Sequence, residues 1–217
     1  MSHEPRATSH LLPELTATQL AEIARQAEAG YPDEICGMVI GKRGAPESYQ
    51  VRPVRNLANQ EPQRDPGGVE RDARTAYFGD AREMLRISTE ADQHGWETII
   101  LYHSHPDHDA YFSAMDRERA LWPGQDPPEP LWPGVSYLVV SVRKGRACEA
   151  RYHVWDQALK DFVEIPVSLP GARGGGCLAS DGGAIGENAR RPESPHRPGR
   201  ARGPHLPAFL PDLPGGW

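Results

Sequence analysis

His103 and His105 stand one residue apart at the end of an apolar, β-branched run, Thr98-Ile99-Ile100-Leu101-Tyr102. In an extended strand alternate side chains share a face, so both imidazoles can reach one cation. Imidazole nitrogens suit zinc, which in hydrolytic sites takes three protein ligands and keeps a fourth position open. Pro106 follows at once and is expected to end the strand, placing the pair at a sheet edge where a cleft can open. Further on comes Ser113-x-x-Asp116. If Ser113 caps a helix, Asp116 lies in its first turn facing back toward the strand end, a candidate third ligand. The same spacing is also an ordinary capping arrangement, and the sequence leaves both readings open. Glu34 begins another apolar run, in Pro32-Asp33-Glu34-Ile35-Cys36-Gly37, where a charge is awkward. A zinc hydrolase needs such a carboxylate, one that moves protons without binding the metal. On its own Glu34 reads as no more than a strand-edge acid.

The elements that must position these groups follow from the periodicity. Thr16-x-x-Gln19 reads as a capping box, with Leu20, Ile23, Ala24 and Ala27 at helical spacing and Gly30 as the stop. Residues 35–41 read as a buried strand and 48–57 as a second. Residues 58–72 are polar and turn-rich, hence a loop. Asp80 can cap a helix running to about His94, and Ser113 another to about Leu121. After a Pro-rich loop over 122–134, Ser136 to Val142 is the clearest strand. Lys144-Gly145 turns it into a hairpin partner over 147–154, and 162–167 adds a last strand. The order predicts one mixed α/β domain.

Taken together, Glu34, His103-Ser104-His105-Pro106 and Ser113-x-x-Asp116 resemble the JAMM (MPN+) zinc metalloprotease motif: a remote Glu, then H-x-H, seven residues, and S-x-x-D. Glu34-x-Cys36-Gly37 with Gly41 resembles that family's first strand. Pro133-Gly134-Val135-Ser136-Tyr137-Leu138 resembles the strand after the metal site in small bacterial members. The resemblance implies an MPN/JAMM-like, cytidine-deaminase-like domain with a mixed, curved sheet flanked by helices. It implies one Zn2+ per chain held by His103, His105 and Asp116, with Glu34 as general acid/base and Ser113 stabilising the tetrahedral intermediate. It also implies hydrolysis of peptide or isopeptide bonds after the C-terminal glycines of ubiquitin-like proteins, in the small bacterial branch those of the sulfur-carrier type. Two segments depart from the compact bacterial pattern, 123–134 and the Pro/Gly-rich 58–76, and both bear on substrate identity.

Two other functions use the same residues. His103-Ser104-His105-Pro106-Asp107-His108 also satisfies H-x-H-x-D-H, the two-metal signature of metallo-β-lactamase-like hydrolases. That reading needs later ligands, and downstream only His153, His196 and His205 remain. Non-catalytic MPN scaffold subunits form the second alternative, against which the complete ligand set speaks. The H-x-H-P-S-G of DNA-repair-associated relatives is not matched by His105-Pro106-Asp107-His108. Cys36 reads as a small buried residue. Asp107, His108 and Asp109 read as a solvated loop, and Trp96, Trp122, Trp132 and Trp155 as packing rather than a stacking platform.

The bulk composition sets the outer limits. The chain has 217 residues, 22 Gly and 22 Pro, 38% apolar residues and a net charge of −6. Its Gly and Pro concentrate toward the C-terminus, which divides it into an extension over 1–13, a metalloprotease domain over 14–167 and a Gly/Pro-rich, disordered tail over 168–217. Every candidate residue lies between 34 and 116. No run of 18 apolar residues exists, so no membrane span is expected, and the N-terminus does not read as a signal peptide. Three scattered cysteines and an acidic body favour a reducing cytoplasm and argue against a nucleic-acid surface. The expected partner is a ubiquitin-like protein, and the oligomeric state is left open.

Overall fold

The computed structural model describes residues 13–170. The expected extension and tail therefore lie almost wholly outside the described residues. Thr16 caps α1 (Ala17–Gly30) through the reciprocal box expected of it, its hydroxyl accepting from the Gln19 N–H while Gln19 Oε1 accepts from the Thr16 N–H. Leu20, Ile23, Ala24 and Ala27 form the buried stripe of the helix. Then come β1 (Cys36–Gly41), buried throughout, and a 3-10 turn, Pro46–Ser48. The turn occupies the start of the expected second strand, so β2 is shorter (Gln50–Val54). Asp80 caps α2 (Ala81–Gln93) by accepting from the Arg82 and Glu83 N–H groups.

The expected loop over 58–72 instead contains a small hairpin, β3 (Gln63–Arg64) and β4 (Glu70–Arg71). Its turn is closed by Asp65, whose carboxylate accepts from the Val69 N–H and pairs with Arg71. Polar composition is compatible with a hairpin when the pairing is carried by the backbone and by such local side-chain bonds.

The remaining elements are β5 (Glu97–Pro106), α3 (Ala114–Ala120), β6 (Ser136–Arg143), β7 (Arg146–Asp156) and β8 (Asp161–Val167). Six strands make one mixed sheet in the order β2-β1-β5-β6-β7-β8, antiparallel except between β5 and β6. Parallel neighbours need a crossover, and here the crossover carries α3. α1 meets Val39, Ile100, Tyr102, Leu138 and Val140 in one apolar cluster. α2 meets Cys36, Met38 and Ile40 in another, so the alternation of β1 assigns the two helices to opposite sheet faces. None of the described helices is long and apolar enough to cross a membrane.

β5 corrects one expectation about the site. The strand ends at Pro106 as expected, but it is the third of six strands rather than an edge. Proline is tolerated because successive N–H groups point to opposite sides. The Asp107 N–H bonds the Val142 carbonyl on the β6 side, so position 106 faces the β1 side, beyond the first residue of that strand.

Candidate metal centre and active site

His103 and His105 continue the face of β5 on which Leu101 packs against the α2 cluster. Their Nε2 atoms lie 3.2 Å apart. Asp116 Oδ2 is 3.4 Å from His103 Nε2 and 3.6 Å from His105 Nε2. All three residues are buried, and one ligand atom from each lies within 4.8 Å of the others. Among the described residues this is the one group of three or more His, Cys, Asp or Glu side chains placed to hold a metal ion. The cap reading of Ser113-x-x-Asp116 is what the structure shows, and it leaves the Asp116 carboxylate beside both histidines. Ser113 caps α3, its hydroxyl accepting from the Asp116 N–H at 3.1 Å, and Asp116 Oδ2 accepts from the Ser113 N–H at 2.9 Å. The cap thus fixes the rotamer that aims the same carboxylate at the histidines.

The donor set suits a zinc-like ion: two imidazole nitrogens and one carboxylate oxygen, converging beside an open cavity. His105 Nδ1 lies 3.0 Å from the Asp109 carbonyl, which can only accept. Nδ1 therefore carries the proton in the neutral ring, leaving the Nε2 lone pair to the cluster. Burial lowers the pKa of His103, a pull that the adjacent Asp116 only partly offsets. Burial acts on His105 in the same direction, but bonding to Asp116 and the charge of Glu34 outweigh it and the pKa rises. Asp116 is held well below the usual carboxylate range: burial opposes ionisation, and the two imidazoles overcome it.

Glu34 belongs to the same site. It is buried two residues before β1, its N–H bonded to the Ala73 carbonyl and its carbonyl accepting from Asn56 Nδ2. Ser104, the middle residue of H-x-H, points to the opposite face from the histidines, and its hydroxyl accepts from the Ile35 N–H at 3.0 Å. The tripeptide therefore supplies two donors and also anchors the residue next to Glu34. Burial raises the Glu34 carboxyl to about 8, offset in part by His105. Glu34, His105, Ser113 and Asp116 line one cavity of about 300 Å3, with Asp65 and Arg71 of the hairpin on its wall. The expected bordering loop over 123–134 contributes none of its lining residues.

Sequence reasoning missed several supports. Asn56 Oδ1 accepts from the Ala58 and Phe78 N–H groups while its amide holds Glu34, a long-range bracket that no local pattern announces. Tyr77 stacks on His103 with ring centroids 4.5 Å apart, and Arg119 donates to the Tyr77 carbonyl and to Gln63, tying α3 to the hairpin. Cys36 is the buried residue expected, its thiol pushed up to about 12 by burial and nearby carboxylates. Residues 107–109 expose their side chains, yet they are not simply a solvated loop. Asp107 accepts from Tyr31 Oη and the Lys144 N–H, and Asp109 pairs with Arg143. His108 is exposed and stands outside the metal-binding group, against the two-metal signature.

Residues 16–155 match the family described as prokaryotic homologs of the JAB domain. The chain belongs to the prokaryotic JAB family. Within it, the chain is 38% identical to the desampylase of Haloferax volcanii over 102 residues, 46% of this chain and 65% of that protein. It is 28% identical over 144 residues to the CysO-cysteine peptidases of Mycobacterium bovis and Mycobacterium tuberculosis, covering 66% of this chain and 81% of theirs. The aligned region thus spans just under two thirds of the desampylase. The JAMM-type resemblance and the mixed α/β fold expected from the motif agree with this membership.

Proposed function

We propose that this prokaryotic JAB protein is a zinc-dependent peptidase that hydrolyses the amide bond after the C-terminal glycines of a ubiquitin-like protein, of the sulfur-carrier type. The observation that carries the reading is the buried His103–His105–Asp116 cluster, of which His105 and Asp116 line the same cavity as Glu34. His103 and His105 would offer Nε2, and Asp116 a carboxylate oxygen, to a single Zn2+. Bound there, zinc would supply Lewis-acid polarisation of a carbonyl and acidification of a water to a pKa of about 7.

The protein's own groups account for the rest. Glu34, buried and with a proton affinity near neutrality, takes the proton from the attacking water and returns it to the departing amine as the C–N bond breaks. Ser113 accepts one backbone bond through its oxygen, leaving its O–H free to donate to the oxyanion that develops on the scissile carbonyl. The Asp116 carboxylate is kept ionised by its neighbours and is therefore a ligand rather than a proton carrier. The names of the CysO-cysteine peptidases and the desampylase agree with cleavage at the C-terminus of a small protein modifier.

The test is incubation of the full chain with a Gly-Gly-ending ubiquitin-like protein carrying a C-terminal extension, with and without chelator. Cleavage after the second glycine that chelator abolishes and zinc restores is the expected result. Glu34→Ala should keep zinc and lose cleavage by at least 100-fold, the scale of a lost general base. His103→Ala should lose both. An active Glu34→Ala protein would overturn the mechanism, and a zinc-bearing chain inert toward every such substrate would return the scaffold reading.

A further inference from the structure

The six residues 107–112 join the H-x-H strand to the Ser113 cap, so their conformation decides where Asp116 stands relative to His103 and His105. Three consecutive carbonyls in this connection are each held by a side chain from a different strand. His108 O accepts from Ser141 Oγ of β6 at 2.6 Å, Asp109 O from His105 Nδ1 of β5 at 3.0 Å, and Ala110 O from His153 Nε2 of β7 at 2.9 Å. Phe112, two residues on, stacks on His153 with centroids 4.9 Å apart and planes within 15°. Ser141, His153 and Ala110 are fully or almost fully buried.

Satisfying buried carbonyls needs only some donor. The present arrangement does more, because β5, β6 and β7 are adjacent in the sheet and each supplies one side chain to three successive peptide units. A carbonyl only accepts, so the contact with Ala110 fixes the neutral His153 ring with its proton on Nε2.

We infer that His153 and Ser141 are positioning residues for the metal site, holding the 107–112 connection so that Asp116 is set against His103 and His105 before any metal binds. The inference rests on the metal reading proposed above. Groups that orient ligands from behind are worth roughly 10–100-fold in metal affinity.

The test compares His153→Phe, which keeps a ring for Phe112 to stack on but cannot donate, with His153→Gln, which can restore an N–H to the Ala110 carbonyl. Ser141→Ala is the independent second variant. Zinc affinity is read by competition with a chromophoric chelator, and the visible spectrum of the cobalt-substituted full chain reports ligand geometry. His153→Phe and Ser141→Ala should weaken zinc by roughly tenfold or more and alter the cobalt spectrum, while His153→Gln recovers wild-type affinity to within about threefold. Unchanged affinity in both of the first two, or a His153→Gln protein as weak as His153→Phe, overturns the inference. If the wild-type chain itself binds no zinc, the metal reading fails separately. Amide hydrogen exchange over 107–116 in the metal-free protein then decides the bracket: faster exchange in His153→Phe, reversed in His153→Gln, upholds it, and unchanged exchange overturns it.

Discussion

Glu34 sits where folding and chemistry make opposite demands. Its carboxyl is about 7% exposed, and burial raises its pKa from 4.5 to about 8. The sign of the consequence is fixed. Below pH about 4.5 the group is protonated in both the folded and unfolded chains and costs nothing electrostatically. As the pH rises from there toward 8, the unfolded chain ionises and the metal-free folded chain does not, so stability is lost up to the folded pKa. Glu34→Gln should therefore leave the metal-free protein little changed at pH 4.5 and stabilise it by a few kcal/mol at pH 8. Urea unfolding in the presence of chelator at both pH values checks this, and equal stability at pH 8 contradicts it. The sequence shows only that a charge is awkward beside this apolar run; the burial that makes the conflict comes from residues far away in the chain. The shared face of the histidines and the Ser113 cap were legible because strand and cap periodicities are local rules, whereas Asp116 as a ligand rested on the family resemblance. Asn56 and Tyr77 were not, because their roles depend on contacts with Glu34 and His103 across 22 and 26 positions.

At the scale of elements, the site depends on the seam between β1 and β5, where Cys36 pairs with His103 and Gly37 with Tyr102. Gly37 is required by close approach: a Cβ there would stand 2.2 Å from the Tyr102 ring and hydroxyl. Tyr102 has little room to yield, since it is buried and its hydroxyl donates to Gln26 of α1 at 2.6 Å. Gly37→Ala is thus expected to cost about 1–3 kcal/mol or more through overpacking, and to displace Glu34 from the histidines. Thermal unfolding should fall by several degrees, with the zinc affinity falling alongside. A fully stable Gly37→Ala protein would show that the seam is more forgiving than its distances indicate. Most elements were legible from period and capping: α1, α2 and α3 start at the expected Thr16, Asp80 and Ser113. The exceptions share a cause. The β3–β4 hairpin and the central place of β5 in the sheet are settled by partner strands and side-chain locks rather than by local propensity.

Across the described molecule, the candidate ligand group joins two parts that the sheet alone holds less directly, the end of β5 and the start of α3. The apolar clusters lie on the two sheet faces and draw on α1, α2 and the strands, without any of the three candidate ligands. The fold should accordingly survive metal removal, unlike small domains whose core is the metal itself. An ion that binds the native chain alone still stabilises it by mass action, about 2.7 kcal/mol at 100 times its dissociation constant. For a domain of this size that corresponds to a rise of roughly 5–10 °C in melting temperature. Zinc should produce such a shift in the wild-type chain, chelator should reverse it without loss of helical circular dichroism, and His103→Ala should show none. A metal-free chain that is already unfolded would mean that the clusters do not suffice. A shift that survives in His103→Ala would place the stabilising ion somewhere other than between β5 and α3.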